Sequence, residues 1–420
     1  MKKQLTIFFL FVSFLSFAQS EREWKKSALT FTPEILLGKT MEANGGFPET
    51  KLQKQLLFNI GRYHTNNPQE WAQRLKGPKT GLTIGVTDFG SLDSLGLGIT
   101  AMPFIEFQAF GSHRWKVLSG LGASYFTKKY DEISNPRNQA VTTDVTWAFR
   151  TYLYYQFLST KNIDWRAGLG YSHHSNGHTH LLNQGYNSFL VSVSADIKNP
   201  LKRAEIVSDG TIPQYKRTVY DYYAIRGGLG QNVFALAFND RKNVYTIAGE
   251  YGRVYNNTFK VGLGFYYRFY QHYYDYIKRN ESLVQDEREF DYFKENPWSN
   301  ATNFGVSLHG EVFLNHVGID LQVGYNFHKP AYKMEWRINE GWDNTPKDIP
   351  DYWMLGELDS SYKKKNRIST RLGIKYYLIG MENAPKNNIY LGANLNSNLG
   401  QADFTELSIG YVHRFKKRDR

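Results

Sequence analysis

The run "VGLGFYYRFY", Val261–Tyr270, alternates with a period of two. Drawn as a strand, it places Val261, Leu263, Phe265 and Tyr267 on one face and Gly262 and Gly264 on the other, because successive strand side chains point to opposite sides. An apolar face backed by small or polar residues over about ten positions is the pattern of a strand with lipid on one side and a wet lumen on the other. "TELSIGYVHRF", Thr405–Phe415, repeats it, with Leu407, Ile409, Tyr411 and His413 sharing a face.

Segments of this kind fill the chain. In the first half they are Leu29–Lys39, Gln53–His64, Lys79–Phe89, Leu95–Phe110, Arg114–Lys129, Val141–Leu158, Ile163–Ser175 and Asn187–Lys198. In the second they are Val219–Gln231, Asn243–Asn256, Thr258–Tyr274, Asn303–Leu314, His316–Phe327, Arg367–Ile379, Asn388–Asn398 and Thr405–Phe415. Tight connections such as "NNTF" and "FLNHV" contrast with long charged and aromatic ones at 276–302 and 329–366, as short turns on one side of an outer membrane contrast with long loops on the other. The expected fold is all-β, a transmembrane antiparallel β-barrel of about 14–16 strands. One barrel is the favoured arrangement because the second half is amphipathic throughout. An 8-stranded barrel followed by a second β unit is the alternative, with Asn199–Arg217 as a domain boundary or a long connection.

Composition agrees. The chain has 30 Tyr, 28 Phe, 9 Trp and 36 Gly in 420 residues, and its mean hydropathy is −0.52. Past the N-terminus no apolar run reaches the ~18 residues that a membrane helix needs. The opening "MKKQLTIFFLFVSFLSFAQS" has a basic start at Lys2 and Lys3, an apolar run and a small-polar exit, which reads as a signal peptide over 1–19. Residues 20–420 then form the exported part, 20–199 carrying the candidate site and 200–420 the rest of the barrel wall. The absence of cysteine excludes disulfides, thiolate metal sites and thiol catalysis. The net charge of +12 suits a phosphate-rich membrane surface, and nucleic acid is not expected as a partner of an exported chain.

Chemistry concentrates in "GYSHHSNGHTHLLNQGYNSFL", Gly170–Leu190. Parity sorts it. Trp165, Ala167, Leu169, Tyr171, His173 and Ser175 share a face, and so do Asn187, Phe189, Val191, Val193, Ala195 and Ile197 on the next strand. The lipid-facing stripe of both strands thus ends in His173, Ser175 and Asn187, and polar groups on such a stripe are costly enough to mark function. Residues i and i+2 lie about 7 Å apart. His173 can take the Ser175 proton as a general base and Asn187 can orient the imidazole. The Asn176 amide, or turn N–H groups such as that of Gly177, can meet an oxyanion.

These residues resemble the signature of the lipid A 3-O-deacylase (PagL-type) family, His-x-Ser-Asn followed by Asn-x-Gly and an acidic residue. The register here is His173, Ser175, Asn176, then Asn183, Gly185 and position 187. The overlap covers mainly Arg114–Lys198. The ending "LGANLNSNLGQADFTELSIGYVHRF" is similar to the close of longer acyloxyacyl hydrolase-like proteins. The resemblance implies an outer-membrane esterase acting on an ester-linked acyl chain of lipopolysaccharide, with Ser175 as nucleophile, His173 as base, Asn176 at the oxyanion, and no cofactor or metal. Two features depart from the family: Asn187 stands at the acidic position, and the chain is much longer. Two other readings are a non-catalytic barrel, either pore or wall, and a metal cluster of His173, His174, His178 and His180, which has no carboxylate within it.

Overall fold

A computed structural model describes residues 29–197, 213–339 and 359–419. The segment read as a signal peptide lies outside these residues, and so does most of the connection at 199–217. The described residues form sixteen strands: β1 Leu29–Thr40, β2 Gln53–Tyr63, β3 Lys79–Asp88, β4 Leu97–Ala109, β5 Ser112–Phe126, β6 Val145–Ser159, β7 Ile163–Ser175, β8 Tyr186–Ile197, β9 Thr218–Asn232, β10 Lys242–Tyr255, β11 Phe259–Tyr270, β12 Thr302–Leu314, β13 Val317–His328, β14 Ile368–Tyr377, β15 Asn387–Asn398 and β16 Gln401–Asp419.

They close as two barrels rather than one. β1 pairs with β8, and β9 pairs with β16, so each set of eight satisfies its own backbone edges. The favoured single barrel is thereby corrected in favour of the alternative. A strand amphipathic enough to line a sixteen-stranded barrel is equally fit for an eight-stranded one. What decides is which strand pairs with β1, and alternation does not encode that.

The walls are built for lipid. On β1, Leu29, Phe31, Ile35 and Leu37 face outward and are exposed, while Thr30, Thr32 and Glu34 are buried inside. The other strands follow suit, so apolar residues are outside and polar residues inside, the reverse of a water-soluble barrel. No helix among the described residues is long and apolar enough to cross a membrane; the outward apolar faces belong to the strands, and closure of each barrel pairs their backbone groups.

Both lumina are filled by ion pairs and tyrosines. In the first barrel Arg150 donates to Glu34 at 2.8 Å, Arg166 to Glu106 at 2.7 Å and Lys79 to Asp196 at 2.9 Å, and the Tyr154 hydroxyl donates to Glu34 at 2.6 Å. In the second, Lys375 reaches Glu311 and Asp320, both at 3.0 Å, and Arg371 reaches Glu406 at 3.2 Å. Aromatic residues of the long connections, Phe234, Tyr273, Tyr276, Phe290 and Phe293, pack over the loop end of the second barrel.

The barrels stand side by side in the same sense, pinned at both rims. At the loop end the Trp147 indole donates to Thr405 at 3.1 Å, the Val233 N–H to the His178 carbonyl at 3.1 Å, and Leu181 and Asn239 exchange two hydrogen bonds. At the turn end Gln69 donates to Glu382 at 2.6 Å, Asn257 to Glu70 at 3.0 Å, and Arg74 to the Lys216 carbonyl at 2.9 Å.

Candidate active site

β7 and β8 carry the site at their loop end. Their register sets His173 opposite Asn187, Tyr171 opposite Phe189 and Leu169 opposite Val191. Leu169, Phe189, Val191 and Val193 are all more than half exposed, so the stripe on which His173, Ser175 and Asn187 stand does face outward. Ser175 closes β7 and is only 3% exposed, tucked beneath the β7–β8 loop.

His173 Nδ1 lies 2.7 Å from Asn187 Oδ1, and the Tyr171 hydroxyl donates to the same oxygen at 2.5 Å. An amide oxygen only accepts, so the Nδ1 atom carries the ring proton and Nε2 keeps its lone pair. Tyr171, two residues before His173 on the same face, fixes which way the Asn187 amide points. Sequence parity held that information, and Tyr171 went unassigned.

Ser175 Oγ accepts from the Asn183 amide at 2.9 Å and from the Gly177 N–H at 3.2 Å. With both lone pairs engaged, the hydroxyl has its own proton left to give. No hydrogen bond joins Ser175 to His173 in this structure; catalytic contacts often tighten only around substrate. Asn183 also accepts from the Asn176 N–H at 2.9 Å, so one side chain ties Ser175 to the turn behind it. The Asn176 side chain is engaged elsewhere, donating to the His180 carbonyl at 2.6 Å and to Thr142 at 3.2 Å. The two donors at Ser175 Oγ are therefore the Gly177 N–H and the Asn183 amide, while Asn176 braces the loop.

The glycines have steric reasons. Gly185 has φ +75°, and a Cβ there would meet the His174 carbonyl at 2.9 Å and the His173 ring at 3.0 Å. Gly177 has φ +69°, and its Cβ would stand 2.3 Å from Thr405 Oγ1 of the second barrel.

The four histidines do not converge. His174 points into the barrel against Phe89 and Phe126, edge to face. His178 is buried in the loop, where desolvation pushes its pKa down and favours the neutral ring. Elsewhere His309, Glu311 and Asp320 bring ligand-type atoms together inside the second barrel. Lys375 sits 3.0 Å from both carboxylates and Arg371 also pairs with Asp320, so protein cations already balance that cluster.

The second barrel supplies an internal control. "GYVHRF", Gly410–Phe415, parallels "GYSHHS", Gly170–Ser175. His413 Nδ1 lies 2.7 Å from Asn387 Oδ1, and the Tyr411 hydroxyl donates to that oxygen at 2.7 Å. Yet this trio stands at the turn end, and Phe415 occupies the position of Ser175. A Tyr–His–Asn trio thus recurs on the second barrel wall without a serine beside it. The first barrel differs in having Ser175 and its two loop donors.

Residues 40–196 match the model of a family described as lipid A 3-O-deacylase (PagL). The match takes in a little over a third of the chain and stays within the first barrel, from the last residue of β1 to the end of β8. No curated protein matches the chain. Among solved structures, a de novo designed transmembrane β-barrel is 8% identical over 40% of this chain and 95% of its own, with a TM-score of 0.22. CdiB from Acinetobacter baumannii is 8% identical over 94% of this chain and 61% of its own, with a TM-score of 0.16. An outer-membrane channel from Pseudomonas putida F1 is 10% identical over 94% of this chain and 100% of its own, with a TM-score of 0.18.

Proposed function

We propose, from the match of residues 40–196 to the lipid A 3-O-deacylase family, that the first barrel is an outer-membrane carboxylic ester hydrolase in which Ser175 is the nucleophile that removes the 3-O-linked acyl chain of lipid A. The observation that carries this reading is the placement of His173 and Ser175 at the loop end of the outward-facing stripe, Ser175 beneath the β7–β8 loop, with Asn187 ordering His173 and two donors held at Ser175. A nucleophile so placed meets the ester region of a glycolipid, where acyl chains join the headgroup.

His173 Nε2 takes the Ser175 proton as Oγ adds to the ester carbonyl carbon. The Gly177 N–H and the Asn183 amide shift from Oγ to the developing oxyanion, which forms within reach of both. The tetrahedral intermediate collapses as His173 returns the proton to the departing sugar oxygen, leaving an acyl-serine. A water, deprotonated by the same nitrogen, adds to that ester and releases the fatty acid, and Ser175 recovers its proton. Asn187 holds the tautomer throughout but lends no negative charge to the imidazolium, which predicts a slower enzyme than an acid-bearing relative. Export to the outer membrane is assigned to the leader over 1–19.

Active-site labelling tests the assignment. A fluorophosphonate carrying an alkyl chain should modify the folded protein once, at Ser175, and His173→Ala should slow the reaction at least 100-fold, the lower end of general-base contributions. Modification of another residue, or labelling that is indifferent to His173, refutes it.

A further inference from the structure

Between the two barrels lies a slot of about 1510 Å³ whose walls are the outward faces of both. It exceeds the roughly 300–1,000 Å³ of ordinary small-molecule pockets. One wall comes from β3–β6 of the first barrel, the other from the second barrel, and the lining is mostly apolar, with Leu121, Phe149, Leu321 and Leu407 among it. Polar contacts at both rims fix the spacing of the barrels, as described above. In a bilayer nothing forces such walls together, because lipid tails are as apolar as leucine. An empty gap would forfeit dispersion contacts along both walls, so hydrocarbon is the filling that suits it.

The slot leads to the candidate site. Across the sheet Ala101 pairs with Ala123, Ala123 with Trp147, and Trp147 with Ser175. The first three line the slot, and Ser175 stands one strand beyond. Two alanines leave a shallow channel along this row, and Trp147 ends it, its indole held by the hydrogen bond to Thr405. The loop-end mouth is polar, with Gln231, Thr179, Asn176 and Arg241. Arg241 is exposed, and among the described residues it has no ion-pair partner.

We propose that this slot is an acyl-chain site for the anionic glycolipid of the outer leaflet, in which Arg241 meets a headgroup phosphate, uncleaved chains lie against Ala101 and Ala123, and Trp147 separates them from the chain presented to Ser175. The proposal rests on the reading of the first barrel as a lipid A esterase, and it gives the second barrel a role as the far wall of a substrate site. The commitment to a phosphorylated glycolipid, rather than to any bilayer lipid, comes from the cation at the mouth and from continuity with Ser175.

The test measures binding without turnover. Full-length Ser175→Ala protein is purified in mild detergent from membranes containing lipopolysaccharide and phospholipid, and its extracted lipids are counted by mass spectrometry. About one lipid A per chain should remain bound. Adding Ala123→Trp should cut that at least fivefold. Adding Arg241→Gln, which leaves the walls intact, should lower lipid A at least threefold without lowering phospholipid. Heat-modifiable gel mobility verifies that each variant is folded. Retention of phospholipid alone, absence of bound lipid, or lipid A retention unchanged by both substitutions overturns the proposal. Because no step requires chemistry at Ser175, these results stand apart from the outcome of the labelling experiment.

Discussion

At the scale of single residues, the proposed mechanism makes the pair Tyr171 and Asn187 set how well His173 works as a base. In a serine protease, replacing the triad acid by asparagine costs about 10⁴-fold, because the amide settles in the orientation that selects the wrong tautomer. Here the Tyr171 hydroxyl donates to Asn187 Oδ1 and keeps that oxygen toward His173. What asparagine gives up is charge, not tautomer. Asn187→Asp should therefore raise kcat, by roughly tenfold, toward the value set by an anionic partner. Tyr171→Phe frees the amide to flip and should lower kcat on the order of 10–100-fold with KM little changed, with Tyr171→Phe/Asn187→Asp regaining the loss, since a carboxylate has no wrong orientation. Steady-state kinetics on a dispersed glycolipid separates these cases, and an Asn187→Asp enzyme slower than wild type contradicts the argument. That His173, Ser175 and Asn187 share a face was legible in the sequence because strand parity fixes a face. The contact of Asn183 with Ser175 was not, because it crosses a loop where parity has no hold.

At the scale of strands, all sixteen segments read from alternation lie within four residues of the observed limits. Lipid enforces this legibility: one face must be apolar at every second position, so the pattern is written into each strand. The overrun of Thr258–Tyr274 shows the limit. Its strand ends at Tyr270, and Gln271–Lys278 is a helix whose Tyr273 and Tyr276 pack over the barrel mouth instead of facing lipid. The inward faces make their own prediction. Arg150 and Glu34 are fully buried and paired. Removing one partner of such a pair leaves an uncompensated charge and costs ~3–5 kcal/mol, whereas replacing both by apolar groups is often nearly neutral. Arg150→Met should thus lower the urea midpoint for folding into vesicles markedly, and Arg150→Met/Glu34→Leu should recover most of it. Equal losses in the single and double variants would show that the pair is not what holds that part of the lumen.

At the scale of the molecule, two narrow barrels replace the single wide one that the sequence favoured. Closure depends on β8 pairing back to β1, and an amphipathic strand reads the same in a barrel of any girth. The difference matters for function, because a sixteen-stranded barrel can enclose a channel, whereas these two are narrow enough for side chains to fill. Planar bilayers containing the purified protein should show no porin-like conductance; a steady open channel contradicts the packed lumina. The central claim is that the loop end of the first barrel hydrolyses lipid A from its lipid face, and the most direct measurement is the lipid A mass profile of cells expressing the chain. Wild type should yield lipid A lighter by one ester-linked acyl chain, and Ser175→Ala, present in the outer membrane at the same level, should restore the full mass. Loss of the acyl chain that persists in Ser175→Ala contradicts the account.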